Sequence, residues 1–129
     1  YGRHIFNKYG DSDFHWNLES REFPEVHPIR GKFNHELIDE MEVFGKEIED
    51  LGGKLFVTYP GCDNHSLEII KDQVKEVETE LEASNLHILG NPYRYGMERN
   101  MMFDQIYHLS KKGVDKRTDL LIEDLKQNN

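Results

Sequence analysis

The residues of this 129-residue chain best equipped for chemistry are Asp104 and His108, in the stretch Phe103-Asp104-Gln105-Ile106-Tyr107-His108-Leu109-Ser110-Lys111-Lys112-Gly113. A carboxylate four residues from an imidazole can accept its ring N–H, choose the tautomer and support the imidazolium that forms when the other nitrogen takes a proton. That is two thirds of a nucleophile–base–carboxylate triad. What must position the pair is the helix that opens just after it. Ser110 has the residue type of an N-cap, and Leu109 before it can pack on Val114 at the fourth helical position, the hydrophobic staple that fixes how a chain joins a helix. The same spacing also suits a structural tie between a loop and a helix, so on spacing alone both roles stand.

The pattern Phe-Asp-x-x-Tyr-His-Leu-Ser-x-x-Gly, followed by Arg117-Thr118 and an amphipathic helix, resembles the last conserved block of the SGNH (GDSL-type) hydrolase superfamily. The resemblance is closest to its membrane-anchored bacterial branch related to polysaccharide O-acetylation. It covers Phe103–Leu125 by motif, and Lys32–Pro92 only by the order of elements. By matching position it implies that Asp104 orients His108 and that His108 is the general base of acyl transfer through an acyl-serine intermediate. The implied substrate is an esterified carbohydrate or related ester. The implied fold is a layered α/β/α arrangement with a parallel sheet, this chain being a partial flavodoxin-like fold with the C-terminal βαβ unit and final helix. No metal or organic cofactor is implied, and the family's tendency to act outside the cytoplasm makes an extracytoplasmic or periplasmic location what the resemblance implies. The family spacing is Asp-x-x-His, and here one more residue intervenes.

A nucleophile is harder to find. Gly10-Asp11-Ser12 has the three letters of the family's nucleophile block, but Arg3-His4-Ile5-Phe6-Asn7-Lys8-Tyr9 before it is mixed and polar where a buried apolar strand is needed. Only two strand candidates follow Ser12, fewer than the family places before its final block. Context therefore favours Ser12 as a turn residue, and the chain as one that supplies the Asp–His pair and is inactive alone.

The elements that must hold these groups follow from periodicity. Residues 1–31 show neither period 2 nor period 3.6 and read as an irregular N-terminal segment, with 32–129 as the α/β portion. Asn34 to Leu51 is helical, with Leu37, Met41, Phe44, Ile48 and Leu51 on one face, Asn34 as N-cap and Gly52-Gly53 as stop. Lys54–Tyr59 is a short buried strand ended by Pro60-Gly61. A helix from about Ser66 to Ala83 turns Leu67, Ile70, Val74, Val77 and Leu81 inward, with Asn85 as a left-handed stop. Leu86–Leu89 is a second strand, closed by Gly90-Asn91-Pro92. The last helix, about Lys111 to Lys126, buries Val114, Thr118, Leu121, Ile122 and Leu125. Strand, helix, strand is a βαβ unit, whose ligands gather beyond the carboxyl ends of the strands. That places the Pro60–His65, Gly90–Tyr93 and Asp104–His108 loops on one rim, with Asn91, Tyr93, Tyr95 and Tyr107 available to contact a substrate.

Composition bounds the alternatives. With 36% hydrophobic residues and a net charge of −9, the chain has a modest core and lacks the basic stripe that nucleic acid or an anionic membrane surface requires. No apolar stretch approaches the roughly 18 residues of a membrane span, and a start at Tyr1 without Met or a signal peptide suggests a piece of something longer. Two strands cannot make a stable covered sheet, so the expected partner is a missing N-terminal half or a second copy joined through a strand edge. The single Cys excludes an internal disulfide. Cys62 with His65 could form a nucleophilic pair, though an inert thiol suits the spot better. Asp11, Asp13 and His15 alternate as metal ligands can, without a second cluster to complete a site. His35 and Asp39 suit a surface pair. A second function class fits as well: a non-catalytic α/β interaction module that binds a protein partner or a glycan.

Overall fold

In the computed structural model, which describes residues 6–28 and 31–128, the chain is a mixed α/β structure. Its elements in order are α1 (His35–Asp50), β1 (Phe56–Thr58), β2 (Cys62–Asp63), α2 (Asn64–Ile69), α3 (Lys71–Ala83) and β3 (His87–Leu89). Then come β4 (Gly96–Met97), a 3₁₀ turn (Arg99–Met101), β5 (Met102–Gln105), β6 (His108–Leu109) and α4 (Lys111–Gln127). Tyr1–Ile5, Ile29 and Arg30, part of the expected irregular segment and its edge, lie outside the described residues, as does Asn129. From Phe6 to Pro28 there is one isolated bridge, Phe6 to Ser12, and no helix.

The apolar runs on either side of the crossover pair as their composition requires. β1 and β3 run parallel with Val57 opposite Ile88, and the crossover that parallel strands need is made by α2 and α3. The expected single helix from Ser66 is two. Asp63 is the working cap, its Oδ2 accepting from Ser66 N–H at 2.9 Å and Ser66 Oγ–H at 2.8 Å, so the helix starts earlier. It is interrupted at buried Ile70 (φ −102°, ψ 20°), which turns into the core. Asn85 is not a left-handed stop. Ser84 is extended and its hydroxyl donates to Leu81 O, while Asn85 N–H donates to Glu42 on α1 at 2.8 Å.

Two helices seat on faces that match the expected ones only in part, Met41 and Ile48 of α1 and Val114, Leu121 and Leu125 of α4 being partly buried. Gly52, at φ +81°, does end α1, with Gly53 N–H returning to Ile48 O at 2.9 Å, a left-handed close that glycine permits without a Cβ penalty. Yet Leu37, Phe44 and Leu51 are exposed, Leu51 to 86%. A two-stranded sheet offers a narrow surface, and α1 meets it along Ile38, Met41, Gly45 and Ile48, where Gly45 sits against Leu55 and Leu86. On α4, Thr118 and Ile122 point outward and the most buried positions are Gly113 and Asp124. Of the expected α3 face, Leu67, Ile70 and Leu81 are buried and Val77 is partly exposed.

The core has two centres. Tyr59, Leu81 and Tyr95 pack with Val57, Ile88 and Ile38, and Met97, Met101, Met102 and Leu109 pack with Phe23 and Val114. Leu120 of α4 touches both. Among the described residues no helix is long and apolar enough to cross a membrane.

Candidate active site

Asp104 and His108 lie not on a loop but on a hairpin. β5 and β6 pair antiparallel, Met102 opposite Leu109 and Gln105 opposite His108, around Ile106-Tyr107. Three steps along β5 match one along β6, so Phe103 and Asp104 form a bulge. A bulge re-aims the side chains it carries, and Asp104 Oδ1 reaches His108 Nδ1 at 2.6 Å. A carboxylate only accepts, so Nδ1 carries the proton and Nε2 presents its lone pair. The side chains of His108 and Asp104 are 38% and 30% exposed. The pair is therefore within reach of a substrate and held from one side.

The helix behind the hairpin fixes its depth. Ser110 is extended at the N-cap position, but its Oγ is buried without a partner among the described residues and does not cap the first turn. Its N–H instead donates to Met101 O at 2.8 Å. Leu109 and Val114 share one core cluster, as the staple requires. Gly113 presses on the 3₁₀ turn so closely that a Cβ there would stand 2.3 Å from Met101 O.

The N-terminal segment, which has no periodicity to announce it, lies across this hairpin. Arg21 N–H donates to Phe103 O at 2.6 Å, His15 Nε2 contacts Leu109 O at 3.0 Å, and Lys111 Nζ sits over the Trp16 ring. The His15 ring centroid is 4.4 Å from that of His108. Ser12 is three residues away from His15, a Cα span of at most about 10 Å. It sits beyond a turn organised by Asn7, whose Oδ1 accepts from the N–H groups of Tyr9 and Asp11. Among the described residues no hydrogen bond joins Ser12 to His108.

Residues from each of the three expected rim loops line one cavity, away from the Asp–His pair. Asp63 N–H donates to Ile106 O at 3.0 Å and Cys62 N–H to Tyr95 O at 3.2 Å. The cavity, of about 300 Å³, is lined among others by Tyr59, Pro60, Cys62, Ile70, Pro92 and Tyr107. Asp104 and His108 do not line it. Asn91 is exposed and its Oδ1 accepts from Arg94 N–H, and Tyr93 is about half exposed.

Several sequence candidates part company. Cys62 is 1% exposed, and burial first, then the neighbouring Asp63 charge, pushes its thiol up to about 11, so it is no thiolate at neutral pH. His65 pairs with Glu25 at 2.9 Å instead. Asp11 is exposed and bonded to Asn7 while His15 turns inward, and among the described residues no group of three or more His, Cys, Asp or Glu could hold a metal. His35 pairs with Glu80 of α3, not Asp39. Tyr95 is not a rim residue: it is fully buried and its hydroxyl donates to Asp124. Asp124 Oδ2 also accepts from Arg94 Nε–H at 2.9 Å, and the guanidinium lies 2.7 Å from Oδ1. Burial raises the Asp124 carboxyl, but hydrogen bonds from Arg94 and Tyr95 outweigh it and leave the group below its ordinary value.

Comparison with protein-family models, with curated proteins and with solved structures returns no match to the chain.

Proposed function

We propose that the chain is the C-terminal part of an SGNH-type serine esterase or O-acyltransferase acting on an esterified carbohydrate or related ester, for which it supplies the Asp–His pair. The observation that carries this is the 2.6 Å Asp104 Oδ1–His108 Nδ1 contact with Nε2 left for a proton. His108 Nε2 takes the proton of a serine hydroxyl as the oxygen attacks the ester carbonyl, then returns it to the leaving alcohol; Asp104 holds the tautomer and supports the imidazolium. The hairpin turn supports the reading further, because with Gln105 paired to His108 the Asp104 carboxylate still reaches Nδ1 although one more residue intervenes than in the family spacing.

p-Nitrophenyl acetate turnover tests it, measured for the chain alone and for the chain extended at its N-terminus. The expected result is turnover in the extended form only, reduced about 10⁴-fold by Asp104→Asn, as loss of tautomer control does in serine proteases. His108→Ala should abolish it. Turnover by the chain alone, lost in Ser12→Ala, would make Ser12 the nucleophile. Silence in both forms sinks the hydrolase reading. It would favour the alternative, a non-catalytic interaction module, for which one observation speaks: Leu37, Val43 and Phe44 stand exposed along α1.

A further inference from the structure

His15 lies against the His108 ring, and the proposed chemistry leaves it unused. It is 5% exposed. Its Nε2 lies 3.0 Å from Leu109 O, and a carbonyl only accepts, so Nε2 carries the proton. Nδ1 then holds a lone pair, and it is buried with no partner among the described residues. The ring is inclined 53° to that of His108 and lies 5.0 Å from that of Phe103. Phe103 in turn meets His108 edge-on, at 84° and 5.2 Å. An apolar ring would remove the orphaned Nδ1 acceptor but also the donor to Leu109 O.

We infer that His15 is a positioning residue for His108: tied to the same strand through the Leu109 carbonyl, its ring packs on the imidazole that Asp104 holds, so that Nδ1 stays on the carboxylate and Nε2 stays presented. The Nδ1–Oδ1 bond fixes a point and not a plane. The imidazole χ2 well is broad, and one hydrogen bond leaves the ring free to swing in it. The His15 and Phe103 rings remove that freedom. The Leu109 bond then keeps His15 itself from sliding with the irregular segment that carries it. The inference rests on the reading of His108 as a general base, but its test does not need turnover.

Long-range ¹H–¹⁵N NMR of the imidazoles in the intact chain shows which nitrogen is protonated, and the Nδ1–H resonance of His108 reports its bond to Asp104. The expected wild-type pattern is His15 protonated at Nε2 and His108 at Nδ1. In His15→Ala, solvent exchange of the His108 Nδ1 proton should speed up about ten-fold, as a tenfold rise in the open fraction would give. His15→Phe, which restores a ring wall, should recover more of the protection than His15→Gln, which restores only a donor for Leu109 O. A folded His15→Ala with an unchanged His108 resonance overturns the inference. If His15→Ala does not fold, equal exchange in His15→Phe and His15→Gln overturns it. A His15-dependent resonance in a protein with no ester turnover in any form supports it while removing the hydrolase reading.

Discussion

Two aspartates meet basic side chains at opposite ends of α4, and they differ in what they leave unsatisfied. Asp124, in the last turns, is buried, with Arg94 and the Tyr95 hydroxyl both donating to its carboxylate. Asp104, before the first turn, is about a third exposed and holds one His108 nitrogen, so the chain of bonds ends at an open lone pair. A closed network has nothing to offer a substrate and holds the fold. An open pair adds little to the fold and leaves an atom able to react.

The contrast breaks most readily at Asp124. Asp124→Ala strands a partly buried guanidinium and a buried phenol, and should cost about 3 kcal/mol in urea unfolding, in the range for removing one partner of a buried pair. A loss under about 1 kcal/mol would put both aspartates in one class. The same group sets an acid limb. Its folded pKa lies below the unfolded value of about 3.9, so its contribution is present above pH 4 and disappears as the pH falls through the folded value. Unfolding midpoints of wild type and Asp124→Asn, followed from pH 6 to pH 2, should therefore converge at the acid end.

Gly113→Ala comes next. A Cβ 2.3 Å from Met101 O forces α4 off the 3₁₀ turn, with overpacking costing about 1–3 kcal/mol against a helix-propensity gain of up to about 1 kcal/mol. A stabilised variant in thermal unfolding would show that the hairpin and α4 are loosely joined. The smallest effect belongs to Asp104→Ala, under about 1 kcal/mol, because a part-exposed pair contributes little to stability. A loss near that of Asp124→Ala would recast the Asp104–His108 pair as a structural tie.

The sequence reads well where a pattern repeats. Lys54–Tyr59 and Leu86–Leu89 announced β1 and β3 by short, mainly apolar runs, and Gly52 announced the end of α1. It reads poorly where burial is polar. Asp124 interrupts an apolar stripe, and nothing local says that Arg94 and Tyr95, thirty residues earlier, wait for it; the stripe alone points to Thr118 and Ile122, which are in water. Asp104 and His108 were legible as a pair from their spacing, and Ser110 from its position. His15 was visible only as a metal candidate. Its contact with His108 spans 93 residues through a segment with no period, and no local signal encodes so distant a pairing.

The exposed edge of α1 has a consequence for how the protein behaves in a tube. Leu37, Phe44 and Leu51 lie among Glu36, Asp39, Glu40, Glu47 and Asp50, with Lys46 the only basic residue of the helix besides His35. At neutral pH the net charge of −9 sets copies against one another and opposes association through the apolar stripe. Near the isoelectric point of about 5.2 that repulsion fades while the stripe remains. Colloidal stability is thus tied to charge and not to folding, and clouding on mild acidification would set in well above the pH at which Asp124 releases the core.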